Sequence, residues 1–356
     1  MNNDSLELID IKSMDEAQLQ AYFEQLGEKK FRASQVYQWL HQKLVTDFEQ
    51  MTNLPESLRK TLKENCRLTA LTAERVQVSQ IDGTSKYLFK LYDGNLIESV
   101  LMKYHHGNSV CISSQVGCRM GCRFCASTLD GMVRNLAPSE MLDQIYRIQT
   151  ISGERVDNIV IMGSGEPMDN FQNVVQFLKL INSDKGLHIS ARNITVSTCG
   201  LVDKIRELAD LQLQITLAIS LHAPNDELRK TMMPIANKYS IEQIMEACRY
   251  YLKQTGRRIS FEYSLVKGVN DTQECAEQLS GLLHGMNCHV NLIPVNPIKE
   301  RDYRQSEKQA IAAFKNKLER NGINVTIRRE MGRITAVETS KGLIKAACVI
   351  NAGGVY

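Results

Sequence analysis

The sequence predicts an α/β protein built on an incomplete (β/α)6 barrel, preceded by helices and a β-hairpin and followed by a helix, a strand and a tail. Three observations carry this expectation. From residue 109 onward six short β-branched runs recur, SVCIS, DNIVIMG, RNITVSTCG, LQITLAISLHA, RRISFEYSL and CHVNLIPVN, separated by helical stretches such as SIEQIMEACRYYLKQ. Apolar runs alternating with amphipathic helices are βαβ units, hence a parallel sheet covered by helices. Polar or small residues stand at the C-terminal end of nearly every run, where a barrel places its chemistry. Ahead of the runs, the pattern changes from a helical period to strict alternation.

In chain order, residues 1–70 read as a helical accessory domain. Phe31, Val36, Trp39, Leu40 and Leu44 fall at helical spacing, and Asn53-Leu-Pro55 starts a further helix. Residues 71–105 read as a hairpin, because GTSKYLFKLYDGNLIESVLMKY alternates around an Asp93-Gly94-Asn95 turn. The barrel takes residues 106–300. Residues 301–356 supply a C-terminal helix, a possible extra strand at NVTIRRE, and the tail.

Composition excludes several classes. A hydrophobic fraction of 43%, a charged fraction of 23% and only 7 prolines leave no room for a long disordered region. The acidic, polar start MNNDSLELIDIKSMDE is no signal peptide, and no apolar run reaches the length of a membrane span. The chain therefore reads as cytoplasmic, where its 10 cysteines are expected as ligands, catalytic groups or core fillers rather than structural disulfides. A net charge of +3 is too mild to announce a nucleic-acid partner by itself.

Within VCISSQVGCRMGCRFCAS, Cys118, Cys122 and Cys125 form C-x3-C-x2-C. Three thiolates so spaced on one loop can ligate three irons of a 4Fe-4S cube and leave the fourth free for the amino and carboxyl groups of S-adenosylmethionine. A zinc site would want a fourth Cys or His. Cys66, Cys199, Cys248, Cys275 and Cys288 sit in helix or strand patterns and read as packing. The remaining strand ends offer Gly165 and Glu166, Ser197, Ser220 to His222, and Asn296.

The cysteine loop resembles that of radical S-adenosylmethionine enzymes, and the likeness extends further. SSQVGCRMGCRFCAS, IMGSGEPMDN, STCGL, AISLHAPNDELR, MPIANKY, GRRISFEY, GVND and VNLIPVNP together resemble the RNA adenine methyltransferases that modify carbon 2 of an adenosine in 23S ribosomal RNA and in certain tRNAs, over roughly residues 15–332. The resemblance implies one 4Fe-4S cluster on Cys118, Cys122 and Cys125. It implies S-adenosylmethionine against Gly165, Glu166, Ser197, Ser220, Leu221, His222 and Asn296, two molecules being used per methylation. A Glu carboxylate and short polar side chains suit the cofactor's ammonium and ribose, and glycine admits close backbone approach. It further implies a methyl-carrying cysteine in the tail, a resolving cysteine at Cys111 that closes a disulfide with it, and a proton acceptor at Glu98. An external electron donor such as flavodoxin or ferredoxin, and a monomeric protein, belong to the same expectation. Lys29, Lys30, Arg32 and Lys86 are candidates for RNA phosphate contact.

The tail departs from the family pattern REMG-x-D-I-x-A-A-C-G-Q-L. Here Arg329 to Gly332 are followed by RITAVETSKGLIKAACVINAGGVY, so that Ile-x-Ala-Ala-Cys appears at Ile344–Cys348, late by about nine residues, with Leu343 for Asp and Val349 for Gly. Thr339 occupies the cysteine's place in the family's register. Cys348 is assigned as the carrier, with a tolerated insertion, an altered working tail and a lost activity as the competing explanations. Two other readings stay open: a methyltransferase acting on carbon 8 of the same adenosine, and a non-catalytic RNA-binding protein with a structural cluster.

Overall fold

The computed structural model describes residues 8–105, 107–297 and 300–328, and the backbone of 337–339 and 342–344. Ten strands form one sheet whose spatial order is the order of the sequence. They are β1 (Thr72–Val78), β2 (Ser85–Lys90), β3 (Leu96–Tyr104), β4 (Gly107–Ile112), β5 (Asn158–Ile161), β6 (Ile194–Thr198), β7 (Thr216–Ser220), β8 (Ile259–Leu265), β9 (Cys288–Pro294) and β10 (Asn324–Ile327). Strands β1 to β4 pair antiparallel and β4 to β10 parallel. A doubly wound sheet would reverse its order at a switch point; an unreversed run with a helix over each crossover is barrel topology. Among the described residues β1 and β10 do not meet, so the barrel is open.

The crossover helices are α4 (Pro138–Ser152), α5 (Phe171–Asn182), α6 (Val202–Asp210), α7 (Asp226–Met232) with α8 (Ile241–Thr255), α9 (Gln273–Leu283) and α10 (Lys308–Arg320). Their limits follow from local chemistry. Pro138 opens α4 at its first turn and Gly153 closes it at φ 71°. Ser240 and Gln243 form a capping box on α8. Every residue of β8 is buried and nearly every residue of β9, because one face meets the helices and the other the barrel interior.

The hairpin region is continuous with the barrel rather than separate from it. Gly94 turns at φ 84°, the Asn95 N–H donates to Asp93, and β3 then pairs directly with β4, Val100 lying opposite Cys111. At the far side β1 has no outer neighbour among the described residues. Val76 and Val78 are exposed there, the pairing register shifts between Ala73 and Arg75, and Glu74 pairs with Lys90.

Three helices precede the sheet: α1 (Glu16–Gln25), α2 (Lys30–His41) and α3 (Glu56–Asn65). On α2 the buried stripe is Ala33, Val36, Tyr37, Leu40 and His41. Phe31 falls about half a turn off that stripe and is exposed, with Arg32 over its ring. The helical reading to residue 70 ends early, since Cys66–Arg67 pairs with Ile9–Asp10 in a short parallel ribbon. This unit docks on α4 through several polar contacts, among them two that are deeply buried and one in which the Ser139 hydroxyl donates to Asp10 at 2.6 Å. Lys12 Nζ donates to Asp143 at 2.6 Å, and His41 Nδ1 lies 2.9 Å from the Tyr146 hydroxyl.

Past α10 the extra strand exists as β10, the seventh parallel strand, and Val337–Thr339 pairs antiparallel with Gly342–Ile344. Cys348 lies outside the described residues. No helix among the described residues is long and apolar enough to cross a membrane.

Candidate active site

Hydrogen bonds and one close backbone passage fix the course of the cysteine loop. Gly117, at φ 72°, lets the chain pass so close to Gly131 that a Cβ would lie 2.0 Å from its carbonyl oxygen. The Cys118 N–H donates to that carbonyl at 2.8 Å. Arg123 N–H donates to the Met232 carbonyl at the end of α7, and the Thr128 hydroxyl donates to the carbonyls of Cys122 and Cys125 at 3.1 and 2.9 Å. Burial pushes all three thiols up, Cys118 to about 12. They are therefore protonated as free groups, and ligation would release protons.

The loop after β5 packs on the same segment. Ser164 N–H donates to the Ser113 hydroxyl at 3.0 Å and Glu166 N–H to Gln115 Oε1 at 2.8 Å. Gly165 stands at φ 105°, where a Cβ would come within 2.5 Å of the Gln115 Cβ, so this position requires glycine on both counts. The Glu166 carboxylate is engaged inside the protein: it accepts from Met168 N–H at 3.0 Å and from Cys199 N–H at 2.8 Å, stapling the β5 loop to the β6 loop. Burial raises its pKa against those hydrogen bonds. What it offers a ligand is its remaining lone pairs.

At the end of β7, His222 adopts φ 57° and is buried. Its Nδ1 accepts from Ser264 N–H at 2.9 Å, which leaves Nε2 carrying the proton. Burial, with help from the Arg229 charge, lowers its pKa to about 3, so the ring is neutral. Phe124 of the cysteine loop packs edge-on against it at 4.6 Å between centroids.

These elements enclose one open cavity of about 1160 Å³ of space continuous with solvent. Cys118, Cys122, Cys125, Gly165, Glu166, Ser197, Ser220, His222 and Asn296 all line it. Leu221 does not: it is wholly buried in the core, and its N–H joins that of His222 on the Glu262 carbonyl. Cys111 is buried beneath the cavity among Val100, Met102 and Val160, with Met162 reaching from it to the cavity wall. Burial pushes its thiol up to about 12, opposed by the Arg328 charge. Glu98 lies on β3 and is ion-paired with Lys86 of β2. Of the basic residues expected on RNA, Lys30 pairs with Glu24 at 3.1 Å and Arg32 donates to the Asn53 carbonyl at 3.2 Å. All nine described cysteines are free thiols.

Sequence reasoning gave no role to Glu262, Arg229 or Gln115. Glu262 lines the cavity, accepts from Asn291 at 2.8 Å and Ser260 at 3.2 Å, and is raised to about 7 by burial. In a strand buried on both faces, alternation cannot say which residues look inward, so FEY held no readable signal. Gln115 bonds Asn135 and Asp169 besides Glu166.

The donor set fits an iron–sulfur cube. Among the described residues no group of three or more His, Cys, Asp or Glu side chains is arranged to hold a single metal ion. Three thiols bordering one roomy cavity suit a cluster that presents a separate iron to each.

Two family models match the chain: the N-terminal domain of ribosomal RNA large subunit methyltransferases over residues 9–68, and the radical SAM superfamily over residues 112–279. A probable dual-specificity RNA methyltransferase RlmN of Lachnospira eligens is 71% identical over 326 residues, covering 92% of this chain and 93% of the relative. Its counterpart in Lachnoclostridium phytofermentans is 63% identical, covering 92% of each. A crystal structure of a radical SAM methyltransferase from Sphaerobacter thermophilus superimposes with a TM-score of 0.87 at 40% identity, covering 92% of this chain and 97% of that one. The superfamily's cofactors are a 4Fe-4S cluster and S-adenosylmethionine, which the three thiols and the polar strand ends of this cavity match in kind. On its sequence, its fold and the make-up of its cavity, the chain belongs to the RlmN dual-specificity RNA methyltransferases of the radical SAM superfamily.

Proposed function

We propose that the protein methylates carbon 2 of an adenosine in 23S ribosomal RNA, and in tRNA, using two molecules of S-adenosylmethionine for each methyl group added. The observation that carries this reading is the single cavity bordered both by Cys118, Cys122 and Cys125 and by the polar ends of β5, β6, β7 and β9. The three thiolates would hold the cluster, which when bound supplies one electron to S-adenosylmethionine and so opens a radical route to a carbon that polar methyl transfer cannot reach. Gly165, Glu166, Ser197, Ser220, Asn296 and the Nε2–H of His222 would bind the cofactor's polar groups, and Glu166 would also fix the β5 and β6 loops to each other. Leu221 would act through its backbone, which sets the angle of His222.

Cys348 would take a methyl group as a thiolate; Cys111, as a thiolate, would take the ring proton, pass it to Glu98, and then form the S–S bond with Cys348 as the bond from the Cys348 sulfur to the base's new carbon breaks and that carbon takes up a proton, which frees the RNA. The target base would have to leave its stack to enter the cavity. Lys29, Lys30 and Arg32 would meet phosphates. The protein would work as a monomer with a donor of the flavodoxin or ferredoxin kind.

Protein prepared without oxygen, loaded with iron and sulfide and given reductant, S-adenosylmethionine and a 23S RNA fragment should form 5′-deoxyadenosine and 2-methyladenosine, read by nucleoside mass analysis. Appearance of 8-methyladenosine would move the target carbon. Cys348→Ala should abolish methylation; full activity in that variant would overturn the carrier assignment. Protein that takes up no iron and cleaves no cofactor would overturn the whole reading.

A further inference from the structure

Arg229 is one of the largest wholly buried side chains of the protein, and its surroundings are unusual for a guanidinium. It projects from α7, whose C-terminal carbonyl at Met232 receives the Arg123 N–H of the cysteine loop. Its Nη2 donates to the Cys199 carbonyl at 2.6 Å and lies 3.5 Å from that of Ser220, and its Nε donates to the Leu221 carbonyl at 3.2 Å. Among the described residues Nη1 has no hydrogen-bond partner and no carboxylate forms an ion pair with the guanidinium.

Carbonyl dipoles solvate a cation without neutralising it. Arginine keeps its charge in proteins, and a buried charge without a counter-charge is strongly destabilising. The groups within electrostatic reach are the thiols of Cys122 and Cys199 and the Asp226 carboxylate. Asp226 caps α8 through the Ile241 N–H at 2.8 Å. Cys122 becomes an anion when it ligates iron, and the missing counter-charge then stands beside the guanidinium.

We propose that Arg229 is the charge partner of the iron–sulfur cluster: a fixed positive charge, held by three backbone carbonyls behind Cys122, that stabilises the anionic cluster and favours its reduced form. The proposal rests on the reading that Cys118, Cys122 and Cys125 hold a cluster. Nearby net charge and hydrogen bonding are among the levers that set such potentials. Arg229 is a positioning residue, since it acts through the cluster rather than on the substrate. The methionyl carboxylate of the cofactor is the competing anion.

The test compares the full chain with Arg229→Gln, which keeps an N–H donor but no charge, and Arg229→Lys, which keeps the charge with fewer donors. Each is loaded with iron and sulfide, and the cluster's midpoint is measured by spectroscopically monitored redox titration without S-adenosylmethionine. The Gln variant should be at least tenfold harder to reduce in its equilibrium constant, a shift of about 59 mV to more negative potential for one electron, while the Lys variant stays near the parent. The gain in Tm on loading should be smaller in the Gln variant than in the other two. If the Gln variant cannot retain iron and the Lys variant can, charge is again the requirement. Equal midpoints in the parent and the Gln variant would overturn the proposal, as would loss of iron from both variants, since donor geometry would then be what matters. An unchanged midpoint with weakened cofactor binding would assign Arg229 to the methionyl carboxylate instead. A parent protein that takes up no iron would bring down the cluster reading, and this proposal with it, by a different observation.

Discussion

At the residue scale, the cavity depends on a few positions where an atom more or less decides the geometry. Gly165 combines a backbone angle that other residues rarely adopt with a Cβ position already filled by Gln115. Gly165→Ala should therefore cost about 2 kcal/mol or more of stability and weaken S-adenosylmethionine binding by roughly tenfold, read by thermal unfolding and titration calorimetry. Unchanged binding would mean that the β5 loop does not touch the cofactor. Glu166 lines the cavity where a strand-end glutamate is expected and has a structural use besides. A glutamate at a strand end suggests a ligand for a cation, yet two backbone N–H groups already hold its carboxylate. Such a staple depends on contacts between loops far apart in sequence, which spacing within IMGSGEPMDN cannot reveal. The same holds for Arg229, whose partners come from the ends of β6 and β7.

At the scale of elements, the docking of α2 on α4 carries its own pH signature. His41 is wholly buried, bonded to Tyr146 through Nδ1 and, among the described residues, without a partner at Nε2. Burial, aided by the Lys12 charge, lowers its pKa to about 3 from 6.5. The unfolded chain thus takes up a proton as pH falls below 6.5 while the folded chain does not, so the contribution is whole above pH 6.5 and is lost progressively toward pH 3. At pH 5 that loss amounts to about 2 kcal/mol. Urea midpoints measured from pH 7 to 5 should fall less steeply in His41→Gln than in the parent, and parallel slopes would remove His41 as the cause. The barrel strands and their helices were legible because period and caps are local. The direction that Phe31 faces was not, because its angle relative to a stripe of five buried residues matters more than its hydrophobicity.

At the scale of the whole molecule, the N-terminal helices are part of the barrel's covering rather than an appendage. Their buried Lys12 meets Asp143 on α4, so Lys12→Ala would leave a buried carboxylate without its partner. That should cost about 3–5 kcal/mol, lowering Tm by roughly 10 °C in a chain of this size. A Lys12→Ala protein as stable as the parent would show that this contact adds nothing to the docking of the helices on the barrel. Sequence reasoning placed a boundary near residue 105, since alternation gives way there to runs and helices. Yet the backbone pairing of Val100 with Cys111 carries the sheet across it. Pairing between strands is invisible to periodicity, which reports each strand alone.

The exposed margin at β1 bears on how copies of the protein behave when crowded. A bare strand bearing Val76 and Val78 invites a neighbouring molecule to add to it. Here the offered template is spoiled at its start: the register slips by a residue at Glu74, and a carboxylate and an ammonium stand together where a newcomer's backbone would have to lie flat. One small irregularity of this kind gives the sheet a terminus and disfavours edge-to-edge growth between copies.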